Sequence, residues 1–238
     1  MQIYWMPIYD IIDETDEVKT FLLERPEDFT WEEGSYTHMA LEGFNAGEKP
    51  NRALIRHMSI STMPNENFVG ITTRIKEQCS EFKSTLRSMK KGDKVAIFKT
   101  ISNVPLVREH KNVYLLSSGV GLATFRPLVL DYLERAEGIL NMHSLNIDSS
   151  KDYLFPTVFA TSDEKNFTCE FVDNRETYYR EVKKLAKDQE ALFYIVGSDA
   201  FLKQNIEVLL AEGIQPAQIK LDKRESQLAE FFSVDATL

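Results

Sequence analysis

Hydrophobic and polar positions change rhythm about halfway along the chain. In the first part they alternate over short runs rich in β-branched and aromatic residues: residues 8–13 (IYDIID), 18–23 (VKTFLL), 36–41 (YTHMAL), 54–60 (LIRHMSI) and 68–75 (FVGITTRI). Alternation with period two predicts half-buried strands. Turn material separates the runs, at Arg25-Pro26-Glu27-Asp28, Glu33-Gly34-Ser35, Gly47-Glu48-Lys49-Pro50 and Met63-Pro64-Asn65. Phe82, Leu86 and Met89 follow a helical spacing and predict a helix over 81–90; a further strand, 94–98, follows the Gly92-Asp93 turn. Short strands at this spacing predict a small antiparallel β-barrel.

Beyond residue 110 the period alternates between strand and helix. Strands are predicted at 113–118, 144–148, 167–172 and 191–196, with helices at 122–136, 152–161, 176–187 and 199–212. Such alternation specifies an α/β doubly wound parallel sheet with crossover helices on both faces. The irregular stretch Ser102–His110 marks the change, so two domains are expected, 1–108 and 109–238.

The chain has 238 residues, 43% of them hydrophobic, which suffices for real cores. With 28 basic and 37 acidic residues the net charge is −9, which argues against nucleic-acid binding. Residues 1–34 hold ten acids against Lys19 and Arg25, whereas residues 76–99 hold seven bases against three acids. That basic segment is read either as a solvated face or as an attractor for an acidic partner. Cys79 and Cys169 are too few for a disulfide framework, a zinc site or an iron–sulfur cluster. His38, His57, His110 and His143 show no ligand spacing, so no metal is expected. No apolar run long enough for a membrane helix and no basic, apolar leader is found. A cytoplasmic monomer is expected.

Two stretches carry candidate chemistry. Ser118-Gly119-Val120-Gly121-Leu122 joins the first predicted parallel strand to its helix. Two glycines one residue apart admit close approach of a diphosphate, and the helix offers N–H groups and its positive end. The same pair also suits a tight turn, and Thr124 stands where a dinucleotide fingerprint has its third glycine. Gly197-Ser198-Asp199 after the last strand, and Asp148-Ser149-Ser150-Lys151 after the second, read as ligand loops or as ordinary capped turns. In the first half, Arg56-His57-Met58-Ser59 ends a strand. Its arginine can neutralise a diphosphate and its serine can donate to a ring nitrogen, although an isolated Arg-x-x-Ser is ambiguous.

Taken together, in order along most of the chain, these segments resemble the ferredoxin–NADP reductase superfamily of flavoproteins. Glu33-Gly34-Ser35-Tyr36 resembles its Pro-Gly-Gln-Tyr turn, and Arg56-His57-Met58-Ser59 its Arg-x-Tyr-Ser flavin motif. Ile71-Thr72-Thr73-Arg74 resembles the strand whose backbone lines the flavin. Phe82-Lys83-Ser84-Thr85-Leu86, followed by Gly92-Asp93, resembles the segment whose helix start meets the FAD diphosphate. Ser118 to Arg126 resembles the pyridine-nucleotide loop, and Ile195 to Phe201 the late Cys-Gly-Pro segment. Met58 replaces the family's stacking tyrosine, Val196 its cysteine, and Val120 and Thr124 the loop's threonine and proline.

The resemblance implies an FAD-binding barrel, an NAD(P)-binding α/β domain, and hydride transfer from NADPH or NADH to flavin N5, with electrons passing on to a separate acceptor. It implies flavin contacts at Arg56, His57, Met58, Ser59, Ile71, Thr72, Thr73, Lys83, Ser84 and Thr85, with Ser59 the catalytic candidate beside N5. For the pyridine nucleotide it implies Gly119, Val120, Gly121, Leu122, Gly197, Ser198 and Asp199. Ser149, Ser150 and Lys151 are candidates for a 2′-phosphate. Phe231-Phe232 is read as a flavin cover or as a core anchor. A small acidic electron carrier fits the basic segment. The other readings are a reductase of free flavin or iron chelates, and a nucleotide-binding protein without catalysis.

Overall fold

The computed structural model describes residues 2–161 and 163–232. The chain divides into two compact units, Met1–Pro105 and Leu106–Leu238.

The first unit holds six strands: β1 (Tyr4–Asp13), β2 (Val18–Glu24), β3 (Ser35–Ala40), β4 (Ile55–Ser59), β5 (Phe68–Arg74) and β6 (Lys94–Ser102), with helix α1 (Glu81–Ser88) between the last two. They form one antiparallel sheet in the order β4-β3-β6-β1-β2-β5. An Ile60–Ile71 bridge and a 2.8 Å bond from the Ser61 N–H to the Gly70 carbonyl tie its two edges, so the sheet closes into a barrel. Alternation puts Met6, Ile8, Phe21, Leu23, Met39, Val69, Ile71, Val95 and Ile97 inside, where Phe82 and Leu86 of α1 seal one end. Gly34 (φ +69°) must be glycine, because a Cβ there would lie 2.4 Å from the Val104 carbonyl oxygen.

The second unit holds β7 (Lys111–Ser118), α2 (Leu122–Glu134), β8 (Ile139–Ile147), β9 (Phe167–Val172), α3 (Arg175–Leu185), β10 (Leu192–Val196), α4 (Asp199–Ala211), β11 (Ile219–Leu221) and α5 (Glu225–Phe232). Its strands are parallel in the order β11-β10-β7-β8-β9. The order reverses between β7 and its neighbours, so the carboxyl ends of β7 and β10 flank a topological switch point.

One predicted element is absent. Residues 152–161 are turns rather than a helix. Pro156 lacks an N–H and disfavours the helical conformation at Phe155, which takes φ +53°; a single turn follows, with the Val158 and Phe159 N–H groups on the Phe155 carbonyl. Leu154 and Phe159 are still buried, which is the apolar spacing that mimicked a helix. The strand β11 and the helix α5 carried too few patterned residues to be anticipated.

Candidate functional site

In the barrel, β4 is entered through a 3-10 turn at Arg52–Leu54 whose start is capped by Asn51. Arg56 folds back over that turn. Its Nη1 donates to the carbonyls of Arg52, Ala53 and Ile55 at 3.3, 3.1 and 2.7 Å, and its guanidinium carbon lies 5.2 Å from the centre of the buried Phe82 ring. Phe82 opens α1, so the guanidinium is held against the start of that helix. Ser80 caps α1, accepting from the Lys83 N–H at 3.5 Å. The Lys83 ammonium donates to the Arg74 carbonyl at the end of β5, at 2.6 Å.

Three cations, Arg56, Arg74 and Lys83, thereby gather where β4, β5 and α1 meet. Burial lowers the Lys83 pKa; Cys79 opposes that shift, and the charges of Arg74 and Arg56 add to it. A half-buried ammonium crowded by like charge is a ready acceptor for an anion.

The other barrel candidates divide by face. Met58 lies half-buried against the barrel core, on the side of Arg56. The exposed His57 turns the other way, where its ring meets that of His38 at 4.1 Å and that of Tyr36 at 5.8 Å. Ser59 ends the strand half-buried, opposite Tyr36. The Ile71 side chain is in the core, so only its backbone is available to a ligand. Thr72 and Thr73 are buried on β5, Thr72 in hydroxyl contact with Thr20 and Ser61. Ser84 and Thr85 are exposed on α1, and the Ser84 N–H is already bonded to the Ser80 carbonyl at 2.9 Å.

In the α/β unit, Ser118 leads into a 3-10 turn at Gly119–Gly121 and directly on to α2. Gly119 takes φ +52°. A Cβ on Gly121 would sit 3.0 Å from the Val196 carbonyl oxygen, so glycine lets the helix start press against the end of β10. A Cβ on Gly197 would meet the Phe201 ring at 2.5 Å and Ser118 Oγ at 2.8 Å, which brings the two glycine loops side by side. Asn146, buried on β8, donates to Ser117 Oγ at 2.8 Å and to the Gly119 carbonyl at 3.4 Å and so fixes the loop from below. No side chain caps the start of α2, whereas Asn174 caps α3 and Ser198 caps α4. The Leu122 N–H is already bonded to the Gly119 and Val120 carbonyls, so it is the N–H groups of the preceding Gly119–Gly121 turn, which Ser118 does not cap, that suit an anion. Val120 is half-buried and Leu122 fully buried, packing the loop rather than lining it.

The remaining candidates have partners. Asp199 meets the Lys223 ammonium at 2.7 Å. Asp148 accepts from the Ser150 N–H at 2.9 Å and its hydroxyl at 2.7 Å. Lys151 pairs with Asp173 at 2.7 Å, which raises the lysine's pKa and lowers the aspartate's, while Ser149 is exposed. Phe231 and Phe232 on α5 pack against the core of their own unit as an anchor. The sequence reading quoted Arg74 only within the β5 segment and did not name Ser80 or Asn146; Ser80 carried the signal of a serine just before a helical run, and Asn146 that of an amide inside an apolar strand.

Among the described residues no group of three or more His, Cys, Asp or Glu side chains is placed to share a metal ion, and no helix is long and apolar enough to cross a membrane. No protein-family model matches the sequence, and no curated protein sequence matches it. Solved structures do. A ferredoxin NADP+ reductase from Neisseria gonorrhoeae with bound FAD and NADP superposes with a TM-score of 0.77 at 15% identity, covering 93% of this chain and 98% of that one. The ferredoxin-NADP+ reductase of Plasmodium falciparum gives 0.73 at 14% identity, over 92% and 95% of the two chains. The flavohem-like FAD/NAD binding domain of the Vibrio cholerae nitric oxide dioxygenase gives 0.69 at 18%, over 91% and 96%. The likeness shows the fold: the chain folds as these reductase structures do, as a closed antiparallel sheet followed by a parallel α/β unit.

Proposed function

We propose that this protein is an FAD-dependent NAD(P)H oxidoreductase that hands electrons to a separate acceptor. The observation that carries the reading is the convergence of Arg56 and Lys83 on the start of α1, with Arg74, whose guanidinium lies 3.9 Å from Glu17, adding positive charge nearby, a set that an FAD diphosphate would complement. Arg56 spends Nη1 on the turn carbonyls, so Nε and Nη2 would face the phosphates. The β5 backbone over Ile71–Thr73 would line the ring, and the Ser59 hydroxyl would donate at N5. In the α/β unit the uncapped Gly119–Gly121 turn leading into α2 and Gly197 would receive the nicotinamide dinucleotide. Bound FAD would take a hydride from the nicotinamide and release electrons one or two at a time. The barrel and α/β units would be the FAD- and NAD(P)-binding domains respectively.

A small acidic electron-transfer protein fits the basic segment 76–99 as acceptor. Met58 offers a thioether against the core in place of an aromatic face, which favours a loosely held flavin as the second reading. The visible spectrum of the purified protein decides. A yellow protein bleached anaerobically by NADH or NADPH is expected. A colourless protein that oxidises NAD(P)H only with added flavin would turn the reading to a free-flavin reductase, and no turnover under either condition would refute it.

A further inference from the structure

The parallel sheet reads β9-β8-β7-β10-β11, so β7 with its glycine turn is the first strand and β8 the second. In a sheet of that order a dinucleotide lays its pyrophosphate on the first strand-to-helix turn. Its adenosine ribose lies toward the end of the second strand, where an acid reads a 2′-hydroxyl and a cation a 2′-phosphate. Side chains tie the two places together here. Asn146 of β8 donates to the Gly119 carbonyl at 3.4 Å and pairs in register with Phe171 of β9. The Phe171 ring stacks on Tyr153 of the loop after β8, with ring centres 4.4 Å apart. Asp148 continues the ladder, its N–H on the Val172 carbonyl at 3.0 Å. It lies two residues beyond Asn146, about 7 Å at the rise of an extended chain.

That position is negative. Asp148 is 7% exposed, and one of its oxygens accepts from both the N–H and the hydroxyl of Ser150. The turn pins the carboxylate and occupies a hydroxyl that a phosphate would otherwise use. Lys151 is bound to Asp173 at 2.7 Å. Burial raises the Tyr153 pKa, Asp173 adds to the rise, Lys151 opposes it and Asp148 adds again, so these three charges face one hydroxyl. Two carboxylates there stand against one ammonium, with the exposed Asp152 beside them. The neighbouring cations are turned to other tasks: Arg126 of α2 lies 5.4 Å from the centre of the Phe155 ring, and Arg175 at the start of α3 acts on Tyr179.

We propose that this end of the sheet selects NADH over NADPH, with Asp148 and Asp173 as the residues that exclude a 2′-phosphate. The inference rests on the reading above, in which the Gly119–Gly121 turn receives a pyridine dinucleotide, and adds which of the two it is. A phosphate monoester carries about −1.5 to −2 charges near neutral pH. Beside a carboxylate withdrawn from water that charge is repelled with little screening. It can recruit Lys151 only by breaking the ion pair with Asp173. A 2′-hydroxyl brings no charge and offers a donor, which suits a carboxylate. The selection is thus built mainly from repulsion of the wrong nucleotide.

Titration calorimetry of the full chain with NAD+ and with NADP+ reads this choice without turnover. NAD+ should bind at least about ten-fold tighter. In Asp148→Asn/Asp173→Asn an amide oxygen still accepts from Ser150, so the turn is kept while both charges go. NADP+ affinity should then rise about ten-fold, with no gain for NAD+. Asp173→Asn alone, outside the buried turn, should give part of that gain. NADP+ binding to the parent as tightly as NAD+, or tighter, overturns the inference and leaves the dinucleotide reading standing. Variants that still reject NADP+ as the parent does overturn it too, because the discrimination then comes from other residues. Binding of neither nucleotide to the parent overturns the functional reading itself, and the inference with it.

Discussion

Replacing Arg56 by alanine separates the two duties that the structure gives this side chain. On the scaffold side, Nη1 is shared among three carbonyls and the guanidinium covers Phe82. Shared bonding at one N–H group is worth about 1 kcal/mol, and the half-exposed cation–π contact about 0.5–1 kcal/mol. The cofactor-free variant should therefore lose about 1.5–2 kcal/mol, a fall in Tm of roughly 3–8 °C for a protein of this size. On the ligand side, a charge-assisted contact to the diphosphate is worth about 1.5–3 kcal/mol, so the Kd for FAD should rise about 10- to 150-fold. Arg56→Lys keeps the charge but loses the planar fork, so it should recover only part of the affinity. Titration calorimetry with FAD and thermal unfolding of the cofactor-free variants supply both numbers. A variant that melts early yet binds FAD within about two-fold of the parent would show that Arg56 only braces the 52–55 turn, and would remove the charge cluster as the diphosphate site.

Two further outcomes are expected. Lys151 is neutralised by Asp173, so Asp173→Asn should lower the KM for NADPH by roughly two- to five-fold, the worth of one exposed ion pair, and Lys151→Ala should raise it; equal effects on NADH would exclude these residues from 2′-phosphate recognition. Burial pushes the Cys169 thiol from 9.0 up to about 12, so the folded protein keeps a proton that the unfolded chain loses. Stability should be level with pH below about 9 and fall from there toward 12. Tyr114, raised to about 12 by burial and by Asp188, adds to the loss only above about pH 10. Denaturant unfolding of Cys169→Ala against the parent should show the decline between pH 9 and 10 abolished; an unchanged profile would refute the assignment.

Much of the architecture follows from local pattern. Period-two runs place Ile8, Phe21, Val69 and Ile97 on one face of their strands, and burying that face leaves an antiparallel closed sheet as the economical solution. Alternating strand and helix periods dictate the parallel sheet, and the two glycines after β7 fix where the chain turns at its switch point. The region 152–161 shows the weakness of pattern alone, since apolar spacing at Leu154 and Phe159 was outweighed by the backbone restriction that Pro156 imposes.

What the order of residues determined was the kind of element at each place and the residue types offered to a ligand. Which of them meet was decided by tertiary structure. Arg56, Arg74 and Lys83 come from three separate elements and converge only when the barrel closes and α1 seats Phe82 at its end. His57, one residue from Arg56, is sent to the opposite face by the same pleat. Glu14, Thr20, Ser61 and Thr72 lie as much as 52 residues apart between hydrogen-bonded neighbours and become a continuous chain because β2 pairs with β5 in one register. Side-chain contact across a sheet depends on strand order and register, and those are settled by burial of the whole apolar face, a property no local segment carries.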